Sequence, residues 1–471
     1  MNHAARIFCL LCLAIAAHSE DLYVTSSGSG ASDGSNWSNA FAGFGDVAWG
    51  SGAGQLGAGD TLWVAGGSYS TYLTLAGSGS AGNPIYIKRA RSTNSECTSA
   101  TGWSSGYDAT VEISAAYGFS IDNSSLIGGG GGRYCVVDGQ ITNGFKVNLT
   151  DVSGSRGIDI GGYGSFNSIF RFIEVAGPST APGYGFVNDV RGFHVSTYDG
   201  RANTDRPANL TFEYMTIHGL CAGAYYVHVS NLTNQLNEYH TIETEGSEVH
   251  QNLVYIMSSD NLVFRFNHVH SMGGSVGLFH TDFGSADSVQ TTNHWIYGNV
   301  FRDSDYGSSR FIDVRDSATG TGPLYIYNNT FVSGYGAISI GAALNPNAES
   351  YIRNNLLVDF SSYYISVPGG SDYVTASDNI ETSSYAMFVT PGSTNVLSSP
   401  YGWQFVRDLH LVQGSSPINA GSDLGSSFNR DFDANTRGAD GTWDVGVFEY
   451  QNTVAPNTPR VHSGFRGLRG F

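Results

Sequence analysis

The stretch Asn261-Leu-Val-Phe-Arg-Phe-Asn-His-Val269 reads as two short alternating strands with a polar corner between them, and it sets the pattern for the middle of the chain. Five other segments can be written beneath it: 168–175, 209–217, 294–301, 323–331 and 350–358. In each, apolar side chains recur at every second position, the period of a half-buried strand. Asn267, Asn299, Asn329, Asn355 and Asn379 fall at the corner. Their steps of roughly 24 to 32 residues are a repeat length typical of solenoids.

A parallel β-helix gives this pattern a cause. Each coil stacks its strands on the coil before, about 4.8 Å away, and buries alternate side chains in a shared core. Asparagine at a repeated corner can bond through its amide to neighbouring coils while its own backbone takes left-handed geometry. These asparagines are therefore structural. The predicted fold class is all-β, a right-handed parallel β-helix built as a single-stranded solenoid with an N-terminal cap. A sandwich or a propeller is the competing reading, but a propeller would show a longer and more regular repeat.

Composition agrees. The 471 residues include 62 glycines, yet 41% are hydrophobic and strand formers are plentiful, which disorder would lack. Net charge is −18 and the only lysines are Lys88 and Lys146, so nucleic acid and anionic membranes are poor partners. Arg6, the apolar run 7–17 and the small residues before Ser19 read as a signal peptide over 1–19, which places the protein outside the cytoplasm, extracellular or periplasmic. No later run approaches the roughly 20 apolar residues of a membrane span. Residues 20–450 read as one β-helix domain: cap and irregular coils over 20–150, regular coils over 151–400 and a terminal coil over 401–450. Residues 451–471 read as a disordered tail, and the protein as a monomer. Cys97, Cys135 and Cys221 have no metal or disulfide-scaffold spacing and read as small buried residues. Trp37, Trp49 and Trp63 are expected to pack the cap.

The opening, Leu22-Tyr-Val-Thr-Ser-Ser-Gly-Ser-Gly-Ala-Ser-Asp-Gly34 with Gly59-Asp-Thr-Leu-Trp-Val-Ala-Gly-Gly-Ser-Tyr69, resembles that of bacterial β-helix proteins of the pectate-lyase-like superfamily. The close, Ser416-Pro-Ile-Asn-Ala-Gly421 with Asp431, Arg437 and Asp444-Val-Gly-Val-Phe-Glu449, is similar to the terminal coil of the same group. That superfamily contains lyases, glycoside hydrolases, epimerases and proteins without known activity, so the resemblance implies the fold and a carbohydrate partner more than a reaction. The paired-aspartate and Gly-His-Gly signatures of polygalacturonases and the Asp-Pro-His-Asp motif of mannuronan epimerases are absent.

A second set of strands follows the corner strands: 157–160, 192–196, 226–230, 277–282, 311–315 and 337–340. With Ile158, Val195, Val229, Phe279, Ile312 and Ile338 inward, alternation puts Asp159, His194, His228, His280, Asp313 and Ser339 in one outward column. Ser196, Ser230, Asp282 and Arg315 form a second column beside it. A one-residue slip would turn any member inward. Asn231 to Ser259 reads as a long loop whose His240, Glu243, Glu245, Glu248 and His250 could wall a groove beside this ridge. Polar residues on an exposed sheet face are ordinary, but three histidines and two aspartates are many for a chain so sparing of charge.

The leading functional expectation is a polysaccharide lyase that cleaves a uronic-acid-containing glycan by β-elimination. His228 or His280 would be the base, Arg315 would hold the substrate carboxylate, Asp313 would tune them, and Tyr226 or Tyr198 would supply the acid. His194, Tyr226, Arg310 and Asp159 would contact the glycan. The resemblance also implies calcium as a possible cofactor, for which Asp282, Asp287 and Asp316, together with Asp313, offer oxygen ligands. The alternatives are an inverting glycoside hydrolase using Asp282 and Asp313, and a non-catalytic glycan-binding surface protein. A transition-metal site from His194, His228 and His280 ranks below these.

Overall fold

The computed structural model describes residues 19–451 apart from 122–130, 151–153, 163, 179–189, 198–205, 243–251, 274–275, 282–290, 305–308, 316–321, 342–343, 345–347, 368–372, 391–396, 399–403 and 406–407. The chain winds through three faces per coil. One coil runs Asp260–Arg265 on the first face, His268–Met272 on the second and Val276–Thr281 on the third. Each strand pairs in parallel with its counterpart in the coil before, Ser230–Gln235, Glu238–Ile242 and Asn252–Met257. This is the right-handed parallel β-helix that the repeats predict, with the handedness that strand twist favours for parallel crossovers.

That preceding coil corrects one expectation. Asn231 to Ser259 is not a loop but a complete turn of the solenoid, of which 243–251 lie outside the described residues. Its alternation is hidden because a polar residue, Asn234, takes the core position between Phe212 and Phe264. Fully buried, Asn234 donates from its amide to the hydroxyls of Tyr226 (2.9 Å) and Tyr239 (2.6 Å), and accepts from Asn237 Nδ2 at 2.8 Å.

The corner between the first and second faces carries the asparagine ladder. The Oδ1 atoms of Asn267, Asn299, Asn329, Asn355 and Asn379 accept from the backbone N–H of Asn237, Asn267, Asn299, Asn329 and Asn355, at 2.9–3.0 Å. Their Nδ2 groups donate to carbonyls of the adjacent coil, as from Asn299 to Phe264 (2.9 Å) and from Asn329 to Ile296 (2.9 Å). The left-handed residue is the one before the ladder asparagine, not the asparagine itself: Leu236, Phe266, Gly298, Asn328, Asn354 and Asp378 all have φ of 52–66°. The amide network fixes the corner, and the residue preceding it takes the strain.

The second and third faces belong to one sheet, and the strands Thr330–Ile340 and Leu356–Ser366 run through both. The bend needs small residues. A Cβ on Gly157 would lie 2.4 Å from Val175 Cγ1, and one on Gly192 2.4 Å from the Gly223 carbonyl oxygen. At the N-terminal end, the helix Ser95–Ser99 covers the first face, where Tyr23, Trp37, Trp63 and Cys97 pack together and Trp37 Nε1 donates to the Cys97 carbonyl at 2.9 Å. Trp49 packs at the edge of the main core. Cys97, Cys135 and Cys221 are buried free thiols.

The segment read as a terminal coil over 401–450 pairs instead with Phe388–Thr390, from the end of the range read as regular coils. Phe388–Thr390 and Asp408–Leu411 pair antiparallel, and with Phe432, Val445, Val447 and Phe448 they pack on the outward side chains Val300, Val332, Leu356 and Val358 of the second face. Arg437, buried, ties this module together by donating to the carbonyls of Gly446 and Val447, both at 2.9 Å. Among the described residues no helix is long and apolar enough to cross a membrane.

Candidate functional site

The third face carries an outward column of Asp159, His194, Tyr225, Tyr255, Phe279, Asp313 and Ser339, paired strand by strand. Asp159, His194, Asp313 and Ser339 stand in the column expected for them. His228 and His280 do not.

His280 is one residue out of register. It pairs with Ile256 and Val314, faces the core and has no exposed surface, while Phe279 takes the outward position assigned to it. Its Nδ1 meets His294 Nδ1 at 3.1 Å, and His294 Nε2 donates to the Ser259 carbonyl at 3.0 Å. Burial holds both imidazoles neutral, His294 down at about 4. His228 sits beyond the end of its strand, at the corner to the first face, with φ of 57° and its ring 2.9 Å from the Thr197 carbonyl. Tyr226, expected to supply a proton, is fully buried beneath the sheet. Burial raises its hydroxyl far above the usual phenol range. The error has one source: in Gly223-Ala-Tyr-Tyr-Val-His-Val229 the period-two pattern fits more than one register, and only the pairing of Tyr225 with His194 decides. Val229 is buried beyond that strand, and Ser230 begins the first face rather than joining a second column. The proposed calcium ligands Asp282, Asp287 and Asp316 lie outside the described residues, as do Tyr198, Glu243, Glu245, Glu248 and His250. Asp159 and Asp313 are each already bound by guanidinium groups, so among the described residues this face presents no oxygen-rich calcium cage.

The two ends of the column differ. At one, Asp313, 1% exposed, accepts from Arg310 Nη1 at 2.9 Å and Arg315 Nε at 3.0 Å, while Arg315 lies over Phe279 with 57% of its side chain exposed. Asp313 is thus an anchor for two cations. Between the ends, Tyr225, Tyr255 and Phe279 stack at 4.6 and 5.5 Å.

At the other end stands a dyad. Asp159 Oδ1 lies 2.7 Å from His194 Nδ1 and 3.1 Å from Arg156 Nη1. Burial alone would raise the Asp159 pKa, but the hydrogen bond from His194 and the Arg156 charge outweigh it, and the carboxyl stays ionised below its usual range. An ionised carboxylate only accepts, so His194 Nδ1 carries the proton and donates it. Burial lowers the His194 pKa, and the charges of Arg156 and Arg191 lower it further against the pull of Asp159. The ring is neutral near pH 7, with its lone pair on Nε2. Arg191 lies 3.8 Å from the Tyr225 ring centre, and Tyr225 stacks on His194 at 5.8 Å. The guanidiniums of Arg156 and Arg191 thus both stand beside the dyad.

Sequence reasoning passed over Arg156 and Arg191, took Tyr225 only as an exposed aromatic that could stack on a sugar, and placed His240 in a loop rather than in a second row. On the neighbouring face, His218, His240 and His270 stack at 4.7 and 5.1 Å, with Glu174 Oε1 3.1 Å from His218 Nε2 and 3.4 Å from Lys146 Nζ. The hydrogen bond to His218 and the Lys146 charge keep Glu174 ionised, and burial between two like rings lowers His240 to about 4. The signal was present: Thr-Ile-His218, Glu-Tyr-His240 and His-Val-His270 repeat one pattern just after the corner.

No protein-family model matches the chain, and no curated protein matches it. Among solved structures it is similar to pectate lyase Pel9A, at 15% identity and a TM-score of 0.50 over 92% of this chain and 97% of that one. It is also similar to a rhamnogalacturonan lyase (14%, TM-score 0.47, 84% and 97% covered) and to the GH136 lacto-N-biosidase from Eubacterium ramulus (11%, TM-score 0.45, 77% and 68% covered). At these identities the likeness is one of fold, the parallel β-helix.

Proposed function

We propose that this pectate-lyase-like β-helix is a secreted, carbohydrate-active protein, a lyase that cleaves a uronic-acid-containing polysaccharide at the Asp159–His194 end of the third face. The observation that carries the reading is the 2.7 Å contact between Asp159 and His194 beside Arg156 and Arg191. β-Elimination needs a cation for the sugar carboxylate, a base for the C5 proton and an acid for the departing oxygen. Arg191 carries a charge that does not titrate, in a planar fork suited to a carboxylate. His194 Nε2 takes the C5 proton, the C5–H electrons form the C4–C5 double bond, and the C4–O4 bond breaks. The Tyr225 hydroxyl, on the next ring of the column, protonates O4. Asp159 holds the ring in the required tautomer and stabilises the imidazolium that forms.

The solved structure of a pectate lyase with the same fold supports a glycan ligand, and the Arg156 and Arg191 guanidiniums beside the dyad support an acidic one. The hydrolase reading needs one carboxyl kept protonated near neutrality. Asp159 and Glu174, the carboxyls on these faces nearest an imidazole, are both held ionised. The mass of oligosaccharides released from a panel of acidic polysaccharides, with and without EDTA, separates the cases. Unsaturated products without added water are expected; saturated products that have gained water would establish a hydrolase, and binding without products a non-catalytic protein.

A further inference from the structure

Glu238, His268 and His270 converge on the second face from two successive coils. Glu238 Oε1 lies 3.4 Å from His268 Nδ1 and 3.2 Å from His270 Nε2, and the three ligand atoms lie within 4.8 Å of one another. Ligand atoms on a tetrahedral ion with bonds of about 2.0–2.1 Å stand about 3.3–3.4 Å apart, so two edges already have nearly the length a zinc-class ion imposes. We propose that Glu238, His268 and His270 form a binding site for one divalent transition-metal ion of the zinc class, separate from the dyad on the third face.

Two imidazoles and one carboxylate suit such an ion, whereas calcium would want more oxygens. The scaffold holds the ligands rigidly: Glu238 and His268 are partners in the parallel ladder, and His270 stands two residues further along the same outward side. His268 is fully buried, and burial lowers it to about 3, so it is neutral. Burial works against ionisation of Glu238, but the hydrogen bonds from His268 and His270 outweigh it and the carboxylate stays charged. Ser271 Oγ, 3.0 Å from His270 Nδ1, can accept a hydrogen bond from that nitrogen's N–H and leave Nε2 for the metal. Arg302 Nε donates to His268 Nε2 at 3.0 Å, which places the His268 proton on Nδ1, toward Glu238. A metal held at Nδ1 would replace that proton, which would leave to solvent, while Arg302, itself paired with Asp303, would keep its hydrogen bond to Nε2. Without metal, the same groups make only a polar relay from Arg302 through His268 to Glu238, its last contact 3.4 Å long.

The test uses the whole protein, stripped with a chelator, then titrated with Co²⁺ in visible spectroscopy and with Zn²⁺ in calorimetry. One ion per chain is expected, with the intense visible absorption of tetrahedral cobalt. His270→Ala and Glu238→Ala should each weaken binding by about ten-fold or more, while His240→Ala, in the same imidazole stack, keeps both signals. His268→Ala is uninformative alone because the ring is buried; the His270 and Glu238 variants are checked for folding by their metal-free melting curves. No saturable uptake by the wild type, or uptake unchanged in His270→Ala, would overturn the site in favour of the relay. Neither result bears on glycan cleavage.

Discussion

His194 donates its Nδ1–H to the Asp159 carboxylate at 2.7 Å across a single coil step, and that contact decides which ring nitrogen remains to accept a proton. Because the His194 pKa lies below the ordinary 6.5, the active neutral form survives into mildly acid solution. The acid limb of the rate profile should therefore lie below pH 6.5. Asp159→Asn removes one of the interactions raising the ring's pKa and frees the tautomer, so the limb should move further down as the rate falls. A limb above 6.5 in the wild type would contradict the assignment.

Asn299 accepts from the Asn267 N–H and donates to the Phe264 carbonyl, both in a dry corner. Asn299→Leu leaves those groups without partners, at about 1–3 kcal/mol for each buried group. Urea unfolding should show a loss of several kcal/mol, whereas Glu112→Gln, on an exposed strand residue, should show little.

The buried pair His280 and His294 makes stability depend on pH in one direction. Both have folded pKa values below the unfolded 6.5, His294 at about 4, so the unfolded chain binds more protons below 6.5. Stability is full above that value and falls as pH drops toward 4, by on the order of 2 kcal/mol for His294 at pH 5. Denaturant curves at pH 7.5 and 5 should show the loss, and His280→Leu with His294→Met should reduce it.

Arg437 is buried with its guanidinium on the Gly446 and Val447 carbonyls and 3.5 Å from Glu449. Burial raises Glu449 to about 7 and Asp431 to about 6, so the module relies on that cation. Arg437→Met should cost about 3–5 kcal/mol locally. Hydrogen exchange should rise across 408–449 while the coils beneath stay protected.

The period-two pattern with a recurrent asparagine identified the coils, because an amide ladder demands the same residue at the same corner each turn. It failed at Asn234, where a polar group is buried and satisfied by two tyrosines, so a whole coil read as loop. Asp159 and His194 were legible as neighbours because their strands, Gly157-Ile-Asp-Ile160 and Gly192-Phe-His-Val195, share one unambiguous phase. His280 was not: Leu278, Phe279 and His280 are all buried, and side-chain type does not reveal which way a continuous buried run faces. The Glu–His pairs of the second face depend on contacts between coils that no single segment displays.

The central claim is tested most directly by absorbance near roughly 235 nm, where unsaturated uronates formed by proton abstraction absorb, on the acidic glycan that the wild type depolymerises. His194→Ala should lower the rate of rise by about 10²–10⁴-fold, the range of a lost general base, while His228→Ala leaves it near the wild-type value. A rise that survives His194→Ala, or depolymerisation without any rise, would contradict the account.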